Sequence, residues 1–298
     1  MIQLTRILSL FVFLLLCCVS TSHAQQSNSC GLMIMAHGGS EQWNEAIEDV
    51  VAPVMKKFPT SIAFGMADHE TLKASISELE KQNIDCIAVV RLFMSAQSFL
   101  HQTEYLLGLR EDEPPFFISH HGPGHHAEPP TPVEFNGKIA ISQTALLDAP
   151  EVGNILATNA LALSDSSGNE SVLVIAHGAG DDQVNEQWLQ KLDVLSETLR
   201  ETGLFRSVGV HSLREDWEDK RPKAEQGIRD FVVEHSENGN RVIVLPFRLF
   251  GFGPYAEVLD GLTYESNGKG LLPHSEVSQW IERMAGQLFS ELSEDVDT

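Results

Sequence analysis

The chain has 298 residues, enough for two domains of ordinary size with a core each. Its 42% hydrophobic and 21% charged content are globular values, and 42 acidic against 20 basic residues give a net charge of -22. That balance argues against nucleic acid as a partner, because phosphate contacts need clustered Lys and Arg, and it reads as solvated surface.

Residues 1–24 carry Arg6, an apolar stretch from Ile7 to Val19, then Ser22-His23-Ala24, which is the plan of a cleavable export signal. The apolar run is short for a membrane span, and no other segment reaches that length, so the mature protein is expected to be exported without one, periplasmic or secreted. A lipid anchor through Cys17 is disfavoured by Leu16, where such signals want a small residue. The mature chain keeps Cys30 and Cys86, each seven residues before a strand end, at His37 and Phe93 respectively. On neighbouring parallel strands the two sulfurs would stand at similar heights, and they either bridge or remain buried thiols.

In chain order, a buried strand is expected at 31–36 and a helix at 43–57, with Ile47, Val50, Val51, Val54 and Met55 at helical spacing. A strand at 61–66 and a helix at 70–82 follow, the latter with Leu72, Ile76 and Leu79 inward. Then come strand 86–93, helix 101–109, a proline-rich stretch from Glu111 to Pro132, strand 137–143 and helix 149–163. The second half reads as strand 171–176, helix 183–201, strand 206–211, helix 218–235, strand 241–247, helix 254–262, strand 269–272 and helix 275–292. Strands alternating with helices predict an α/β fold: two tandem three-layer αβα domains with parallel sheets, at 25–163 and 171–298, joined by a polar linker at 164–170.

The halves share a text 140 positions apart: Leu32-Met-Ile-Met-Ala-His-Gly with Asn44 and Glu45, then Val172-Leu-Val-Ile-Ala-His-Gly with Asn185 and Glu186. A histidine at the carboxyl end of a buried strand stands where open α/β sheets place ligand chemistry. Arg91-Leu-Phe against Arg248-Leu-Phe, and Glu104 to Gly108 against Glu257 to Gly261, extend the match. His37 ends the first strand, and His101 lies eight residues past Phe93. In a sheet of order 2-1-3-4 both imidazoles can face one cleft. Two imidazoles suit Co, Ni, Fe or Zn, leave coordination positions open, and can also exchange protons near neutrality.

On these residues the chain resembles the class II tetrapyrrole chelatases of the CbiX and SirB kind, the sirohydrochlorin cobalt- and ferrochelatases, in their long two-domain form. The matching text is Ala36-His37-Gly38, Arg91-Leu92-Phe93 with His101, and Gly270-Leu-Leu-Pro-His274 with Trp280. The resemblance implies flavodoxin-like domains and insertion of a divalent ion into a tetrapyrrole. His37 and His101 would be metal ligands and proton acceptors. An acidic residue near the end of the second strand usually assists in that family; Met66 falls there, with Asp68 and Glu70 just beyond, so Glu70 is the substitute candidate. Arg91 replaces the family's proline, and Pro254 falls opposite His101 in the second half. That half therefore reads as a degenerate copy, with His177 and His211 as its candidate site residues and His274 as local structure beside a Ser275 helix cap.

His120, His121, His125 and His126 surround a Gly-Pro-Gly and form a candidate accessory metal tract, the alternative being an exposed loop with incidental affinity. No Walker loop, dinucleotide glycine fingerprint or G-x-S-x-G elbow is present, so no nucleotide cofactor is expected. Two functional readings follow: an exported chelatase, and an exported metal- or haem-binding protein on a chelatase scaffold. A hydrolase or isomerase with His37 as general base is a third, without an identifiable nucleophile. The oligomeric state is left open.

Overall fold

The computed structural model describes residues 29–115, 117 and 130–294; the export signal expected at 1–24 and the tract His120, His121, His125 and His126 lie outside the described residues. The first half runs β1 (Cys30–Ala36), α1 (Glu41–Met55), β2 (Thr60–Phe64), α2 (His69–Glu80), β3 (Cys86–Leu92), α3 (Leu100–Leu106), β4 (Lys138–Ile141) and α4 (Pro150–Leu163). The second runs β5 (Glu170–Ala176), α5 (Asp182–Leu195), α6 (Glu197–Glu201), β6 (Ser207–Ser212), α7 (Arg221–Glu237), β7 (Arg241–Phe247), α8 (Tyr255–Val258) and α9 (Ser275–Glu294). All pairings between strands are parallel, in sheets ordered β2-β1-β3-β4 and β6-β5-β7.

The alternation along β1 explains its continuous apolar text. Leu32, Ile34 and Ala36 face one core with Ile47 and Val51, while Met33 and Met35 face another with Leu72, Ile76 and Leu79. A parallel strand covered on both faces has no polar side, so every position must be apolar. β5 is also buried throughout: its run 172–176 is apolar, while Glu170 at its start is paired with Arg241.

The final helices are exchanged between the halves. α9 packs on β3, β4 and α1 of the first sheet, and α4 packs on β7, α5 and α6 of the second. One core consequently runs through both halves, from Leu32 and Ile47 through Leu156 to Val174 and Trp280. Polar contacts pin the exchange: the Arg283 guanidinium donates to both carboxylate oxygens of Glu151 at 2.7 and 2.8 Å, Lys57 pairs with Glu282 at 2.6 Å, and Ser278 Oγ donates to the Val50 carbonyl at 2.7 Å.

Cys30 and Cys86 form a disulfide, their Cα atoms 4.5 Å apart in register on β1 and β3. It closes a loop of 56 residues at the end of the sheet opposite His37, which by loop-closure entropy contributes about 4 kcal/mol.

Three expectations change. The segment 269–272 is not a strand: Leu271 and Leu272 donate to the carbonyls of Arg248 and Leu249, beyond the end of β7, and the pairing at that edge is a single bridge between Ile243 and Glu265 among the described residues. The helix expected at 183–201 breaks in two at buried Ser196, whose hydroxyl donates back to the Leu192 carbonyl. The match of Arg91-Leu-Phe with Arg248-Leu-Phe is out of register. Met35 pairs with Arg91, whereas its counterpart Ile175 pairs with Pro246, so the second half has a proline where the first has Arg91.

Candidate functional site

A cleft of about 700 Å³ opens between the carboxyl ends of the two sheets, and both repeat histidines line it. His37 follows β1 and His177 follows β5, so the duplicated text becomes two imidazoles on facing walls. Each loop is built alike. His37 Nδ1 donates to the Gly38 carbonyl at 2.7 Å, and His177 Nδ1 to the Gly178 carbonyl at 3.0 Å. Asn44 Oδ1 accepts from Gly39 N, and Asn185 Oδ1 from Ala179 N, which accounts for the repeated asparagine. A Cβ on Gly39 would meet the Trp43 ring at 2.9 Å, and one on Gly180 would overlap the Trp217 indole. Glycine is required at both positions for the indoles to lie against the loops. Ser40 caps α1 by accepting from Trp43 N, and Asp181 caps α5 through Gln183 N and Val184 N.

The walls are aromatic. Trp43, Trp188 and Trp217 line the cleft together with Phe93, Phe99 and Phe247. Trp43 lies 5.7 Å from the His37 ring, and Trp217 meets His177 edge-on at 5.6 Å. The Gly38 contact puts the His37 proton on Nδ1 and leaves Nε2 with its lone pair. His177 differs, because its Nε2 also faces Asp216 Oδ2 at 3.1 Å. Both of its ring nitrogens lie within hydrogen-bond distance of oxygen atoms, the Gly178 carbonyl and the Asp216 carboxylate.

Arg248 and Glu215 form an ion pair on the second-half wall, with the guanidinium 5.7 Å over the Tyr255 ring. Burial pulls the Arg248 guanidinium down, but Tyr255 and Glu215 together hold it above its ordinary value. Burial first, then Glu215, pushes the Tyr255 hydroxyl up. On the first-half wall, Ser95, Gln97, Ser98 and Phe99 are supported from behind by Arg91. This fully buried side chain donates to the carbonyls of Ser142, Ser98 and Ala96 at 2.9, 2.9 and 2.8 Å. Burial lowers its pKa to about 10, against the opposing charge of Glu104.

The other expected site residues are placed elsewhere. His101 is not among the residues lining this cleft; on α3 its Nε2 contacts the carbonyl of Asp112 at 3.0 Å and the carboxylate of the same residue at 3.2 Å. The left-handed conformation of Phe99 turns the chain between the cleft wall and α3. Glu70 is exposed at the start of α2 and pairs with His69 at 2.9 Å, while Asp68 caps that helix and Met66 lines the cleft. His211 sits in β6 beneath α7, against Phe231 and Gly227, and burial lowers its pKa. His274 Nδ1 accepts from Glu276 N, so this ring caps α9, one position before the serine expected to do so. Asp216, Glu215 and Trp217 were missed by sequence reasoning. They lie in a polar run after β6 with no periodicity to mark them, and their position one loop after His177 was the available signal. Among the described residues no three His, Cys, Asp or Glu side chains converge to hold a metal ion unaided.

Solved structures share this architecture. SirB from Bacillus subtilis, solved with Fe3+, matches with TM-score 0.60 and 14% identity over 87% of this chain and 95% of that one. The sirohydrochlorin chelatase SirB of the spizizenii subspecies, in complex with cobalt, matches with TM-score 0.56 and 12% identity over 89% and 98%. A multi-domain protein of Deinococcus radiodurans, described as structurally similar to chelatases, matches with TM-score 0.52 and 18% identity over 87% of this chain. This chain spans about half of that protein, 55% of its length. No family model and no curated protein matches the sequence. At these identities the likeness defines the class by fold: a two-lobed α/β protein with the chelatase architecture. No helix among the described residues is long and apolar enough to cross a membrane.

Proposed function

We propose that the cleft receives a tetrapyrrole-type macrocycle and that the chain inserts a divalent ion, Co or Fe with Ni and Zn as further candidates, into it. The observation that carries this reading is the placement of His37 and His177, from equivalent strand ends, on one aromatic-walled cleft. Flat indole and phenyl faces suit a planar ring, stacking on it with little loss of side-chain freedom. His37 Nε2 presents a lone pair to the incoming ion, its orientation fixed by the Gly38 carbonyl. Because the protein supplies few ligands, the ion keeps open positions for the macrocycle nitrogens. When the ion enters, a pair of pyrrolic protons must leave. The His177–Asp216 pair accepts them, and the largely exposed Asp216 hands them to water.

Purified protein lacking residues 1–24, given Co(II) and a free-base tetrapyrrole, is expected to metallate it above the uncatalysed rate. His37→Ala should reduce that rate by roughly 10²-fold. A rate equal to the uncatalysed one sinks the enzymatic reading.

A second reading, an exported metal- or haem-binding protein without turnover, is favoured by Met66, which puts a thioether on the wall where the resembling family carries an acid. The disulfide supports export to an oxidising compartment in either case. Tight metal binding without rate enhancement would select this second reading.

A further inference from the structure

The charge on the cleft walls bears on which macrocycle fits. Among the described residues lining it, the charged groups are Glu215, Asp216 and Arg248, and the one fixed cation, Arg248, is already paired with Glu215. Cations near the second-half rim are also engaged. Arg214 binds the carbonyls of Ala179 and Gly180 and the carboxylate of Asp182, and Lys220 binds Asp182 as well. Arg91, behind the opposite wall, uses its guanidinium on three carbonyls. The chain as a whole carries -22, so its long-range field repels anions. A macrocycle with carboxylates around its entire rim would have to bury several of them against apolar rings, with the one fixed cation of the lining already taken by Glu215, and burying an unpaired carboxylate is strongly unfavourable. A macrocycle with acids along one edge only can leave those in water and stack the rest of the ring on Trp43, Trp188 and Trp217.

We propose that the occupant is a flat, largely apolar macrocycle of the porphyrin class bearing few carboxylates, and that a rim-wide polycarboxylate is rejected. This rests on the reading that the cleft takes a tetrapyrrole, and it names the substrate class within that reading. Three of the four tryptophans line the cleft and the fourth, Trp280, is buried in the core, so quenching of tryptophan fluorescence reports occupancy. Titration with free-base mesoporphyrin, coproporphyrin and uroporphyrin, which are di-, tetra- and octacarboxylates, should give affinities that fall in that order. The end members should differ by about tenfold or more at low salt, and the gap should narrow as salt rises. Met94→Arg, which adds a cation to the wall and is checked for folding by circular dichroism, should narrow the gap between mesoporphyrin and uroporphyrin by about tenfold. Uroporphyrin binding as tightly as mesoporphyrin to the unaltered chain, with metal insertion intact, overturns the charge argument and spares the chelatase reading. Absence of binding by all three overturns both.

Discussion

Arg91 couples the buried strand β3 to the wall of the cleft. Its guanidinium is fully enclosed, and its carbonyl partners belong to the Ser95–Phe99 loop and to Ser142. Arg91→Met would leave those acceptors without a donor, so it should lower the free energy of unfolding by about 3 kcal/mol or more in urea titration. Arg91→Lys should recover little of this, because an ammonium cannot fork toward three separate carbonyls. A loss below about 1 kcal/mol for the methionine variant would remove the bracing role. At this scale the strand-end histidines were legible, because Ala-His-Gly after four apolar residues has one natural place in a parallel sheet. Arg91 was not: a charge inside a buried strand looks like an interruption until its acceptors are known. Asp216 was hidden for the opposite reason, standing among other charges after β6.

The exchanged helices are held by ion pairing across the halves, and that pairing depends on pH. Partial burial pushes the Glu151 carboxyl up, but hydrogen bonds and charge from Arg283, with a backbone contact, outweigh it and hold the pKa below the ordinary carboxylate value. A depressed pKa in the folded state means that the unfolded chain binds the proton more readily as the solution is acidified. The stabilisation is therefore complete above the ordinary carboxylate range and is lost as pH falls through the depressed value. Glu151→Gln should lower stability at neutral pH and flatten its acid dependence, in denaturant titrations across that range. An unchanged slope would show that the pair contributes nothing to holding α4 against α9. Both helices were legible from their apolar spacing, as were the sheets from continuous apolar runs. Which sheet each helix covers was not, because a 3.6-residue period marks a buried face without naming its partner. The missing strand at 269–272 has the same origin: Leu271 and Leu272 are buried as a strand would be, but their backbone donors go to the loop after β7.

For the whole molecule, a core continuous through both halves fixes the two strand-end loops relative to each other. The duplicated histidine thereby stands on two opposed walls, in a cleft whose charged groups Glu215, Asp216 and Arg248 come from the second half. The chemistry is thus asymmetric on a nearly symmetric frame. In the proposed reaction His37 presents a lone pair, His177 with Asp216 relays the proton, and the aromatic faces between them accept a flat ring. The most direct test is the initial rate of Co(II) insertion into free-base mesoporphyrin by His37→Ala, His177→Ala and His101→Ala, each checked for folding by circular dichroism. The first two should lose at least about tenfold, and the third should stay within about twofold of the unaltered chain. A full rate in His177→Ala, or a loss confined to His37→Ala and His101→Ala, would contradict the assignment of the two facing strand ends as the working pair.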